Sequence, residues 1–137
     1  MKLNELRDKI HENAKAKGFY NVENEVNQFG INNRTVIKHA FFAQKIALIH
    51  SEASEALEAD RKRRYTPTNI SLNGPDFGDW STQKFEILIK NTVEDELSDV
   101  IIRVLDLCGY LGIDVEKHVE LKMRYNESRG YKHGKDY

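Results

Sequence analysis

The sequence predicts an all-α fold, an antiparallel bundle of about four to five helices, and three observations carry that prediction. Apolar residues recur at helical spacing in four stretches. Only two prolines occur in 137 residues, Pro67 and Pro75, and both fall in one segment. No apolar–polar alternation runs longer than a few residues, and no internal repeat is found.

The first helix is expected from Leu3 to Lys17, with Leu3, Leu6, Ile10 and Ala14 on one face and Gly18 as its stop. Gly30–Asn33 breaks the chain before a long second helix, about Thr35 to Arg63. The stretch Tyr65–Trp80 holds both prolines, two glycines and two asparagines, and reads as a flexible loop, long for a compact domain. Ser81 or Thr82 caps a third helix expected to run unbroken to Tyr110 or Leu111, where Gly112 ends it. Asp114 caps a fourth, Val115 to Arg129, closed by Gly130 at the start of a short tail, 130–137.

A chain of 137 residues fits one domain, 1–137. Its formal net charge of -1 supplies no global field for polymeric nucleic acid. The lone cysteine, Cys108, excludes a disulfide framework and suits a reducing compartment. The polar N-terminus is unlike a secretory signal, and no apolar run approaches the roughly 20 residues that span a bilayer. A cytoplasmic protein without membrane contact is the expectation.

The informative residues are carboxylates set where apolar side chains belong. At about 100° per residue, Glu52 and Glu55 share a face of the second helix with Leu48, Ala56 and Ala59. On the third helix Glu96 shares its face with Ile89, Val93, Val100 and Leu107, and Asp99 follows three positions on. Burying carboxylates is costly, and four of them on two facing helices repel one another. A divalent cation relieves that repulsion, and hard oxygen ligands suit Mg²⁺, with Mn²⁺ as a substitute. The plainer alternative is that they edge the stripe and reach solvent, or pair with Lys45 and Arg103. Di-iron chemistry is disfavoured, because no histidine has a glutamate three positions before it.

A cationic set follows. Lys122, Asn126 and Arg129 share a face of the fourth helix, and Tyr131 and Lys132 lie just beyond Gly130. Cations with an amide suit a triphosphate. Equally, cations are favoured at any solvated helix C-terminus. The run Arg61–Arg64 ends the second helix in the same way. The third helix is apolar almost all round from Leu97 to Cys108, which points to cover by a second subunit.

Taken in order, Glu52-Ala-Ser-Glu55, Glu96-Leu-Ser-Asp99 and the Lys122–Asn126–Arg129 tail resemble the MazG-type nucleoside triphosphate pyrophosphohydrolases. The stretches Leu48–Ala59, Glu94–Asp114, Lys122–Lys135 and Ala16–Tyr20 carry the resemblance, which covers most of the chain. Gly130 stands where many relatives have proline, and Asn21–Asn33 and Tyr65–Trp80 look like local elaborations.

The resemblance implies that Glu52, Glu55, Glu96 and Asp99 hold Mg²⁺. Glu52 and Glu55 would be catalytic, Glu55 most plausibly orienting or deprotonating a water that attacks the α-phosphorus. It implies that Lys122, Asn126, Arg129, Tyr131 and Lys132 bind the substrate, a (deoxy)nucleoside triphosphate, and that monophosphate and pyrophosphate leave. Nucleotide-pool cleaning is the implied role, and a homodimer or homotetramer the implied assembly. Tyr65, Phe77 and Trp80 in the loop are candidates for stacking on a base. The rival expectation is a non-catalytic helical module that docks a protein partner through its acidic face.

Overall fold

Five α-helices and no strand make up the regular structure among the described residues, which are 2–21, 34–70, 72 and 81–130 of the computed structural model. They are α1 (Leu3–Ala16), α2 (Arg34–Arg61), α3 (Thr82–Leu88), α4 (Val93–Tyr110) and α5 (Val115–Glu127). The all-α expectation holds. Tyr131 and Lys132 lie outside the described residues, as do Phe77, Trp80 and most of the 21–33 segment.

Three helices close with the same backbone device, a left-handed residue that lets the last carbonyls find partners. Gly18 (φ 82) ends α1, with the Phe19 N–H donating to the Ala14 carbonyl. Gly112 (φ 66) ends α4, with the Ile113 N–H donating to the Cys108 carbonyl. At the end of α2 the left-handed residue is Arg63 (φ 55), and the Arg64 N–H donates to the Ala59 carbonyl at 2.9 Å. An arginine there forgoes the ease with which glycine adopts this conformation.

The single helix expected from Ser81 to Tyr110 is two helices. The chain turns over Ile89–Thr92, where Asn91 adopts φ 60. The Thr92 hydroxyl accepts from the Asp95 N–H at 3.3 Å, and the Asp95 carboxylate accepts from the Asn91 N–H at 2.8 Å. This reciprocal cap satisfies donors that a helix start leaves orphaned, and so stabilises a new start at Val93. The fourth predicted helix is also shorter than expected. It ends at Glu127, so Arg129 lies just past it.

The chain packs as two compact units, Thr35–Val104 and Met1–Arg34 with Leu105–Tyr137. Helix α4 contributes its first part to the former and its end to the latter. In the terminal unit, α1 is tied to the start of α5 by Asn4. Its side-chain amide donates to Asp114 at 2.8 Å and accepts from the Glu116 N–H at 3.3 Å. Asp114 caps α5 as predicted, accepting from the Lys117 N–H at 3.1 Å. Helix α1 approaches α4 at Gly109, where a Cβ would stand 2.6 Å from that of His11. Beside this contact Asp106 is buried and bonded by His11 Nδ1 at 2.9 Å and the Tyr20 hydroxyl at 2.7 Å. Such donors replace the hydration that a buried carboxylate loses.

In the central unit, Ala56 and Ala59 of α2 are buried. The backbone of Arg64 bridges two helix ends, because its carbonyl accepts the Val93 N–H at 2.9 Å. Thr66 continues the seam, its N–H donating to the Glu94 carboxylate at 2.9 Å. That bond holds Glu94 below the ordinary carboxylate range.

Candidate metal centre

Helix α2 presents Glu52 on the same face as Ala56, four positions on, and both are buried. Helix α4 presents Glu96 and Asp99 one turn apart, the first buried and the second half-buried. The three carboxylates converge, with one oxygen of each within 4.8 Å of the others. Arg103 Nε and Nη2 both reach Oε1 of Glu52, each at 3.0 Å.

The electrostatics record the strain of this arrangement. Burial first, and then the charges of Glu55, Asp95, Asp99 and Glu52, push Glu96 above the usual carboxylate range. Burial also raises Asp99, aided by Glu52 and Asp95 and opposed by Arg103. Both shifts come from burial first and from crowding by like charges second.

The donor set fits a hard divalent cation. Oxygens around Mg²⁺ at about 2.1 Å stand roughly 3–4 Å apart, so a small closing movement would bring all three carboxylates into one shell. An oxygen-only set also favours Mg²⁺ or Mn²⁺ over softer metals.

Glu55 departs from the expected pattern. It is exposed rather than on the buried stripe, is not one of the converging three, and accepts from Ser51 Oγ at 3.5 Å. Glu96 and Asp99 share the same three-residue spacing and do converge, so the difference lies in packing: Glu52 is covered and Glu55 stands on the uncovered flank of α2. It still borders the site, lining with Glu96 an open depression of about 250 Å³. Lys62 and Arg64 line the same depression.

The cationic set belongs to the terminal unit. Lys122 Nζ and the Arg129 guanidinium both lie over the Tyr125 ring, at 4.9 and 5.7 Å from its centroid. Asn126 is half-buried between them in sequence. Tyr65 of the loop donates its hydroxyl to Asp60, a bond that raises the phenol above its ordinary range.

Two features escaped the sequence reading. Asp106 was an acidic residue inside the apolar run Leu105–Leu107, the very signal applied to Glu96, yet it was passed over. The second is an apolar cavity of about 590 Å³ that includes Ile70, Phe85, Ile89 and Ile102, with Asp99 at its edge. It depends on the break before α4, and so was invisible to a reading with one continuous helix.

No protein-family model, curated protein or solved structure matches this chain at a significant level.

Proposed function

We propose that the chain is a Mg²⁺-dependent nucleoside triphosphate pyrophosphohydrolase of the MazG type, releasing monophosphate and pyrophosphate. One observation carries the reading: carboxylates from two helices, Glu52 on α2 and Glu96 and Asp99 on α4, converge with one oxygen of each within 4.8 Å of the others. The resemblance assigns such paired carboxylates to metal.

Bound Mg²⁺ would neutralise phosphate charge and make a water more acidic. The chain's own residues divide the remaining work. Glu52, Glu96 and Asp99 supply ligand oxygens, and Arg103 fixes the carboxylate of Glu52. Glu55, exposed beside Glu96, is available to orient a water and take its proton. Lys122, Asn126, Arg129, Tyr131 and Lys132 enter as phosphate ligands on the resemblance alone.

Self-association to a homodimer or homotetramer belongs to the same proposal. Leu97, Ile101 and Val104 are 50%, 55% and 37% exposed and form one stripe of α4. Contiguous exposed apolar side chains of this kind mark contact surfaces. No helix among the described residues is long and apolar enough to cross a membrane. A cytoplasmic role in nucleotide-pool cleaning completes the proposal.

The test is product analysis over a panel of ribo- and deoxyribonucleoside triphosphates with and without Mg²⁺. Mg²⁺-dependent release of pyrophosphate and monophosphate is expected. Diphosphate with orthophosphate, or no turnover for any triphosphate, would refute the reading.

A further inference from the structure

The apolar cavity carries charge of one sign. Its walls come from the segment after α2, from α3 and the turn beyond it, and from the start of α4, all within the central unit. Ile70, Phe85, Ile89 and Ile102 supply apolar surface, and the charged groups lining it are Glu94, Asp95 and Asp99, all acidic. The sequence extends the pattern. No lysine or arginine occurs from Tyr65 to Gln83 or from Asn91 to Ile102, and the first of these stretches also contains Asp76 and Asp79. Lys84 and Lys90 flank Phe85 and Ile89 in the chain but do not line the cavity.

Two of the three carboxylates are held by neutral donors, which leave their charge uncancelled. Glu94 accepts the Thr66 N–H at 2.9 Å, and Asp95 accepts the Asn91 N–H at 2.8 Å. The Thr66 bond holds Glu94 below the ordinary carboxylate range, so it is ionised at neutral pH. Arg103, the cation that acts on Asp99, is engaged with Glu52. Apolar walls exclude water, and charges at their edge are felt more strongly than in bulk solvent.

We infer that this cavity binds an apolar cation: a small amine or ammonium compound with its hydrocarbon or aromatic body against Phe85, Ile70, Ile89 and Ile102 and its charge towards the carboxylates of α4. Such binding goes beyond the pyrophosphohydrolase reading and needs no turnover, so it does not depend on that reading.

Size agrees. About 590 Å³ falls in the range that accepts a small organic ligand, and such sites are apolar with a few polar groups that fix orientation. Charge then selects among apolar ligands. An anion is repelled by all three carboxylates, and a neutral compound gains the walls without the attraction. Asp99 belongs both to this lining and to the trio. A cation seated here therefore also offsets the like-charge crowding that helps to raise Asp99.

Titration of the full chain by nuclear magnetic resonance, without added metal, tests this with phenylbutylamine, phenylbutanol and phenylbutyrate, probes of similar shape and different charge. The amine should bind about tenfold or more tightly than the acid, with the alcohol between them. Glu94→Gln and Asp95→Asn each keep an acceptor oxygen and remove a charge. Each should weaken the amine about threefold and leave the alcohol within about twofold. Ile102→Lys, at a position 43% exposed, should reverse the order of amine and acid. Should a carboxamide variant melt early, the order in the unaltered chain and its reversal in the lysine variant still decide. The inference is overturned if the unaltered chain binds the probes alike, prefers the acid, or binds none at millimolar concentration. An amine preference that survives both charge removals unchanged, or shifts that fall away from the lining residues, would overturn it equally.

Discussion

Arg103 reaches Glu52 with two nitrogens on one oxygen, each at 3.0 Å. A buried carboxylate is thereby anchored through Oε1, and this one cation also lowers the cost of ionising Asp99. Arg103→Met should destabilise the metal-free protein by about 1–3 kcal/mol, less than a fully buried pair because the arginine is partly exposed. Mg²⁺ should restore most of the loss by replacing the missing charge. Thermal melts with and without Mg²⁺ read this directly. A variant that melts like the parent without metal would show that the pair carries no stability.

The raised carboxyls give a pH signature. A group whose folded pKa lies above its unfolded value contributes stability that is complete below the unfolded value and lost as pH rises through the folded one. Glu96 and Asp99, raised first by burial and then by neighbouring carboxylates, therefore weaken the metal-free protein at neutral pH. Asp99→Asn should melt higher than the parent at about pH 7, and the gap should close as pH falls towards about 4. Calorimetric scans across that interval check it, and a gap independent of pH would contradict the assignment.

Ligand and base separate by substitution. Glu52→Ala and Glu96→Ala should each reduce Mg²⁺-dependent pyrophosphate release by more than about a hundredfold, with far-ultraviolet dichroism unchanged. Glu55→Gln, on the exposed flank, should lose turnover while retaining most Mg²⁺ affinity. A Mg²⁺ isotherm alongside the rate assay distinguishes the two. Near-normal turnover in both alanine variants would remove the metal assignment.

The apolar stripe on α4 predicts the assembly. Ile101→Glu, alone or with Leu97→Glu, should shift a dimer or tetramer to a smaller species in sedimentation equilibrium. A parent chain that is already monomeric at micromolar concentration would refute self-association.

Much of the fold was legible because its punctuation is local. Gly18, Gly112 and Asp114 sit where the structure uses them, since a left-handed stop or an N-cap depends on a few neighbouring residues. The break before α4 was also written in the sequence, as Thr92-Val-Glu-Asp95, a capping signature. The apolar spacing from Ile89 to Val93 fits one continuous helix equally well, so periodicity alone does not register the turn. Glu52, Glu96 and Asp99 were found because a carboxylate among apolar neighbours is anomalous on its own helix. The exposure of Glu55 was not legible. A stripe has an edge set by which side chains approach from other elements, and that is a property of packing.

The Arg64 backbone, with its N–H on Ala59 and its carbonyl on the Val93 N–H, closes the chain between α2 and α4 into a circuit clipped at its base. Everything from Tyr65 to Thr92 lies inside that clip, including Ile70 and Phe85 of the apolar cavity, whereas Glu52, Glu96 and Asp99 lie outside it. The cavity is thus walled jointly by the clipped stretch and by α4, which lends it Ile102 and Asp99, so a change made inside the clip is felt on the helix that carries Glu96 and Asp99.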